Sequence, residues 1–157
     1  MSGRVTTHTC IYTDPDLDSW SAEAILLYQY LFSNDHVNGL TGIGRISMRV
    51  VSSETRLAVG QIDAAKQAIG DRVRWFDDGS YWVIARAKHT CFSSDGKINP
   101  KRARGAYNFS CGQPEPIRRA FQDQYRPLMG HIWPTDDPLM GHRVPSALPT
   151  VTVTVTD

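Results

Sequence analysis

An α+β domain is what the sequence predicts, and three observations carry that prediction. Between Ser21 and Ile69, apolar residues recur at three- and four-residue steps, the spacing of helices with one buried face. Asp77-Asp78-Gly79-Ser80 then separates two aromatic-rich, β-prone runs, a strong hairpin cue. Two more helical segments follow Asn99. With 157 residues, 41% of them hydrophobic, the chain suits one compact domain with appendages.

The first helix is expected over residues 21–32. Trp20, Ala24, Leu27, Tyr28 and Leu31 line one face, Ser21 caps the first turn, and Glu23 sits near the positive end of the helix dipole. The glycine-bearing stretch 34–44 reads as a loop, with a short strand in 40–46. A second helix is expected over 47–55, with Met48 and Val51 buried. A tight turn, Arg56 to Ala58, leads to a third helix ending near Ile69. Ile62, Ala65 and Ile69 share its inner face, and Gly70 closes it.

The hairpin runs through 72–76 and 81–85. If Asp78 and Gly79 form a two-residue turn, Trp75 lies opposite Trp82 and Val73 opposite Ile84. Those four then pack on the helices. Arg72, Arg74, Phe76, Tyr81 and Val83 point the other way, making an outward face both basic and aromatic. After a loop from Cys91 to Ile98, Asn99 and Pro100 suit the cap and first turn of a basic helix over 100–107. A last helix is expected over 115–125, with Ile117, Phe121 and Tyr125 spaced by four.

Helix, short strand, two helices joined by a tight turn, then a hairpin: this order predicts a winged helix-turn-helix with extra C-terminal helices. The expected organisation is an N-terminal arm over 1–13, the domain with its helical extension over 14–128, and a Pro/Gly-rich tail over 129–157. Thr150 to Thr156 strictly alternates Thr and Val, and the tail is expected to be disordered. A tandem DNA repeat two codons long would encode such an alternation, and divergent codon choice across it would count against that origin.

Charge is distributed unevenly, although the formal net charge is only +1. From Val5 to Gly44 there are five acids and no Lys or Arg. From Arg86 to Arg119 there are eight basic residues against Asp95 and Glu115. Such polarity marks a face suited to a polyanion. A winged fold exposes its third helix and its hairpin on one side, toward a duplex groove and the neighbouring backbone. Candidate DNA contacts are therefore Lys66 and Gln67 on the third helix, and Arg72, Arg74 and Tyr81 on the wing. Arg86 and Lys88 beyond the wing, with Lys101, Arg102 and Arg104 on the basic helix, complete the set. The third helix itself offers Gly60, Asp63, Ala64 and Gln67 outward and no arginine, so base-specific reading through it is weakly supported.

Several segments resemble one family. They are Tyr12-Thr13-Asp14-Pro15, the run Ala24 to Leu31, Gly42-Ile43-Gly44-Arg45-Ile46, Glu54-Thr55-Arg56-Leu57, Trp75 to Val83, Asn99-Pro100-Lys101, and the Phe121 and Tyr125 pair. In this order they resemble the N-terminal region of phage and prophage replication proteins of the replisome-organiser, DnaD-like kind. The likeness spans Ile11 to Leu128, and no single motif in it is diagnostic. It implies a winged-helix origin-binding domain, with double-stranded DNA and host replication proteins as partners. Two departures stand out. Arg56 occupies a position where similar proteins tend to have Gly, and Ala58 is a poor cap for the third helix. The chain also has no room for the helicase-recruiting region expected after such a domain.

Other chemistries find little support. Asp14, Asp16 and Asp18 mimic the opening of a calcium loop, but Ser19 and Ile25 stand where that loop needs Gly and Glu. His89, Cys91, Cys111 and His131 lack a Cys-x-x-Cys pair, so no zinc site is expected. No phosphate-binding loop and no nucleophile elbow are present, so neither enzymatic activity nor a cofactor is expected. No apolar run approaches a membrane span. Cys10, Cys91 and Cys111 form an odd, widely spaced set with no signal peptide before them. Reduced thiols in a cytoplasm, a bacterial host's for a phage protein, are the expectation. A small phage transcriptional regulator and a winged-helix factor that docks on a host protein remain alternative readings. The oligomeric state is left open.

Overall fold

The computed structural model describes residues 14–134. The expected N-terminal arm, and the tail beyond Pro134, lie outside the described residues. The architecture is mixed α+β: a three-stranded antiparallel sheet between two sets of helices.

A short 3-10 turn, Pro15–Ser19, opens the fold, and the Asp14 side chain accepts from the Asp16 N–H at 3.0 Å. Helix α1 spans Ala22–Ser33 and is capped as expected, the Ser21 hydroxyl accepting from the Ala24 N–H. It buries Ala24, Leu27, Tyr28, Leu31 and Phe32. Strand β1, Ile43–Arg45, follows. Helix α2 spans Met48–Thr55 and helix α3 spans Val59–Ile69. Val51 is fully buried on α2, while Met48 is half-buried. On α3 the inner face is Ile62, Ala65 and Ile69, the three the periodicity selects. Ala58 gives α3 no side-chain cap. Gln61 partly compensates, its Oε1 accepting from the Ala58 N–H at 2.9 Å.

Strands β2, Val73–Trp75, and β3, Ser80–Val83, form the hairpin, and the sheet order is β1-β3-β2. The register differs by one residue from the sequence expectation. Val73 faces Val83, Arg74 faces Trp82, and Trp75 faces Tyr81. The cause is the turn. Phe76 and Ser80 pair across a three-residue loop, the Gly79 N–H donates back to the Phe76 carbonyl at 3.2 Å, and Gly79 alone takes a positive φ, +84°. A two-residue turn of the mirror-image type requires positive φ at Asp78 as well, which a side chain disfavours. A one-residue slip moves every side chain of a strand to the other face.

The slip therefore reverses the expected faces of β3. Tyr81 and Val83 are fully buried against α1, α2 and α3, with Val73 and Trp75 beside them. Gly44 on β1 makes room for Tyr81, since a Cβ there would sit 2.6 Å from its ring. Trp82 turns to the opposite face.

That opposite face is covered as well. Helix α4, Arg86–Cys91, is unforeseen in the sequence. Helix α5 spans Pro100–Cys111, with the Asn99 side chain accepting from the Arg102 N–H at 3.1 Å, and helix α6 spans Glu115–Met129. A second core joins Ile43, Trp82, Ala87, Cys91, Ala103, Ala106, Tyr107, Ile117, Phe121, Tyr125, Met129 and Trp133. Both C-terminal helices run longer than their sequence patterns indicate. Met129 and Trp133, expected in the tail, are core residues. β3 thus lies buried on both faces, as the central strand of a sheet sandwiched between helices.

Candidate nucleic-acid interface

The ten candidate residues separate into those the fold consumes and those it leaves exposed. Arg72 belongs to the first group. Its Nη1 donates to Asp14 Oδ2 at 2.6 Å and its Nη2 to Asp16 Oδ2 at 2.7 Å, and its guanidinium lies 5.4 Å from the Trp20 ring centre. The Arg72 hydrogen bond holds the Asp14 carboxyl below the ordinary carboxylate range. The acidic lead-in, read in the sequence as a solvated turn, is thus the counter-charge of a wing arginine fifty-odd residues away.

Arg86 is likewise engaged. Its Nε donates to the Gly39 carbonyl at 3.1 Å, its Nη1 to the Phe32 carbonyl at 3.0 Å, and the guanidinium lies over the Phe32 ring. It closes the loop after α1 onto the start of α4, sharing the Gly39 carbonyl with the Thr90 hydroxyl, which donates to it at 2.8 Å. Tyr81 is wholly buried. Its hydroxyl donates to the Leu31 carbonyl at 3.2 Å and accepts from Asn34 Nδ2 at 2.8 Å. Burial pushes its phenol up to about 12. The expectation that Tyr81 and Arg86 present themselves to a ligand is corrected here, and the outward wing face predicted around Tyr81 and Val83 does not exist.

Lys66 is half-buried, with its ammonium 4.0 Å from the Trp75 ring centre, and burial lowers its pKa. Gln67 is exposed on the outer face of α3, beside Asp63 and Ala64. Arg74 is exposed, its guanidinium 5.6 Å from the Phe76 ring centre. The hairpin tip beyond it is acidic. The Asp78 carboxylate accepts from the Ser80 N–H at 2.9 Å, which holds its pKa down. Together with Phe76 and Asp77, that tip adjoins Pro114, Pro116 and Ile117 at the start of α6. Negative charge at the tip opposes the contact a wing makes with phosphates.

Lys88, Lys101, Arg102 and Arg104 are all exposed. Lys88 sits on the rim of a groove of about 620 Å³ between the two helical layers, walled by Trp20, Tyr28, Ile69, Ile84, Tyr125 and Leu128. Lys101 and Arg104 line a shallow groove with Ser93, Lys97 and Asn99 at the start of α5. Arg102 Nη1 donates to the Thr90 carbonyl at 3.0 Å, which ties α5 to α4. Lys97 pairs with Asp95 at 3.6 Å. No carboxylate among the described residues lies within ion-pair distance of Lys88, Lys101, Arg102 or Arg104. The positive end of the α5 dipole adds to the same field.

Sequence reasoning missed Arg45, Arg49 and Arg56, all exposed. Charge summed by chain segment hides them, because the surrounding sequence is mixed. Arg49 lies on α2 and Arg56 is its left-handed C-cap, so helical spacing does not set the two on one line.

Among the described residues, no cluster of three or more His, Cys, Asp and Glu side chains is placed to hold a metal ion. None of their helices is long and apolar enough to cross a membrane. No protein-family model, no curated protein and no solved structure matches this chain.

Proposed function

We propose that the chain is a winged-helix DNA-binding module that grips duplex backbone through α5 rather than through its wing. The element order α1, β1, α2, α3, β2, β3 supports the winged-helix reading, with α2 and α3 joined over three residues. The observation that carries the binding role is the exposed trio Lys101, Arg102 and Arg104. They stand within the first turns of a twelve-residue helix, with no carboxylate paired to them. Helix N-termini and flexible cations are what phosphates bind. Lys88 extends the set. Arg72, Arg86 and Tyr81 act as scaffold in this reading. The biological role proposed is that of a phage-type replication initiator or organiser acting in a host cytoplasm. It rests on the resemblance of the segments named above.

A salt titration of binding to a short duplex tests the proposal. Three or four neutralised phosphates give a slope of log affinity against log salt of about −3 to −4. Replacing Lys101 and Arg104 with Ala is expected to shrink that slope by about 2 units for any duplex sequence. An unchanged slope removes α5 from the interface.

One observation favours a second reading, a docking unit for a protein partner. The outer face of α3 carries Val59, 61% exposed, with Gly60, Asp63, Ala64 and Gln67, and no arginine. Absence of duplex binding at low salt supports that reading over the first.

A further inference from the structure

The sheet ends on one side in an open edge. Strand β2 pairs with β3, and no strand among the described residues covers its other side. Along an antiparallel strand every second residue turns its backbone groups away from the partner. The Arg72 carbonyl accepts from the Ile84 N–H at 3.2 Å and the Phe76 N–H donates to the Ser80 carbonyl at 2.9 Å, so these residues face β3. Val73 and Trp75 therefore face the open side. The Val73 N–H donates back to the Gly70 carbonyl. The Val73 carbonyl and both backbone groups of Trp75 have no backbone partner among the described residues. Such an edge is a template for one more strand.

The two faces of the sheet differ beside this edge. On one face, Arg74 and Phe76 of the hairpin, with Pro114, Pro116 and Ile117 at the start of α6, wall a groove of about 320 Å³. Pro114 and Pro116 are exposed, so its apolar wall is open to solvent. On the other face lies Trp75, whose Nε1 is buried without a hydrogen-bond acceptor among the described residues. A strand that fits here carries apolar side chains toward the groove and hydroxyl acceptors toward the indole.

The run from Thr150 to Thr156 has that pattern. Val151, Val153 and Val155 alternate with threonines at a strand's period of two, every residue is β-branched, and no charge interrupts them. Composition predicts disorder for the tail as a whole, but this run carries the strongest strand period in it. The connection over 135–149 reaches about 50 Å when extended. A folded domain of this size is about 35 Å across, so the run reaches the β2 edge from Pro134.

We propose that the 150–156 run of this chain adds to β2 as a fourth strand, its valines over the Pro114 and Pro116 groove and its threonines toward Trp75. The surface is separate from the α5 cations, and the inference does not depend on their role.

Amide hydrogen exchange of the full chain, followed residue by residue by NMR, tests it. The Trp75 N–H is expected to exchange about tenfold slower or more in wild type than in Val153→Pro, the factor for an edge closed nine times in ten. Proline at 153 removes a backbone donor from the middle of the added strand. Pro116→Asp sets a charge in the groove, at a helix N-terminus that favours an acid, and is expected to speed exchange of the same amide. The β3 amides should keep their protection in both variants, which reports an intact sheet.

A Trp75 amide that exchanges equally fast in wild type and in Val153→Pro overturns the inference. Protection that disappears on dilution, together with a dimer in sedimentation, seats the run on a second copy and overturns it too. Protection that survives Val153→Pro but falls when residues 2–13 are deleted assigns the edge to the N-terminal segment, and the inference fails.

Discussion

The indole of Trp82 meets the ring of Phe121 nearly edge-on, with centroids 5.8 Å apart. This contact fixes the C-terminal helices to the sheet. The indole Nε1 also donates to the Thr41 carbonyl at 3.1 Å, so its polar edge is satisfied within the core. Phe121→Ala is expected to cost about 3–5 kcal/mol, the usual range for deleting a buried aromatic ring. Trp82→Ala is expected to cost at least as much, since a buried carbonyl also loses its donor. Urea unfolding of both single variants and the double variant checks this. A coupling of about 0.5–1.5 kcal/mol is expected from the aromatic pair. Additive losses would mean that the two layers are held together elsewhere.

Arg72 links the acidic lead-in to the base of the hairpin, and the pair has a predictable pH response. The Asp14 carboxyl titrates below its ordinary value of 3.8 in the folded chain. A depressed acid contributes stability above its unfolded pKa and loses it as pH falls through the folded value. The difference in melting temperature between wild type and Asp14→Asn is therefore expected to be constant above about pH 5 and to narrow progressively below pH 4. Thermal unfolding over that range measures it. Arg72→Ala should lower the melting temperature and leave duplex affinity nearly unchanged, because the guanidinium is already committed to two carboxylates.

Arg56→Gly is expected to stabilise the fold by about 0.5–1 kcal/mol, because glycine removes the left-handed penalty at the end of α2. Arg56→Val is expected to destabilise it, since branching at Cβ worsens the same clash. Denaturant midpoints at constant m-value decide the matter.

Two buried phenols give an alkaline signature. Burial pushes both Tyr81 and Tyr125 up to about 12, and the Tyr125 hydroxyl donates to the Ile84 carbonyl. A raised phenol favours the protonated, folded form. Its contribution is complete below the unfolded value of 10.0 and lost as pH rises through about 12. Stability is therefore expected to decline over that interval. Ultraviolet difference titration should show the buried phenols ionising later than an exposed tyrosine. Tyr81→Phe should reduce the decline while leaving Asn34 Nδ2 one acceptor short.

Local chemistry determined much of this protein. Ser21 and Asn99 each cap the helix that their position in the sequence announces. The apolar spacing of Ile62, Ala65 and Ile69 selects the buried face of α3, and Gly70 ends it. Asp78-Gly79 marks the hairpin. These signals are legible because a cap or a helical face depends on residues three or four apart, whose geometry the chain carries with it. α4 was not legible, because its residues, Arg86–Cys91, read as basic rather than amphipathic.

Tertiary structure alone decided the register and the fate of the cations. One positive φ at Gly79, rather than two, shifted β3 by a residue and exchanged the fates of Tyr81 and Trp82. The second helical layer then covered a strand face that the sequence assigned to solvent. Whether an arginine is a ligand group or a clamp depends on which carboxylate or carbonyl lies within about 3 Å of it. For Arg72 those partners come from Asp14 and Asp16, and for Arg86 from Phe32 and Gly39. Such partners are distant in the chain, and no spacing rule reaches across that distance. Only the folded backbone brings them together.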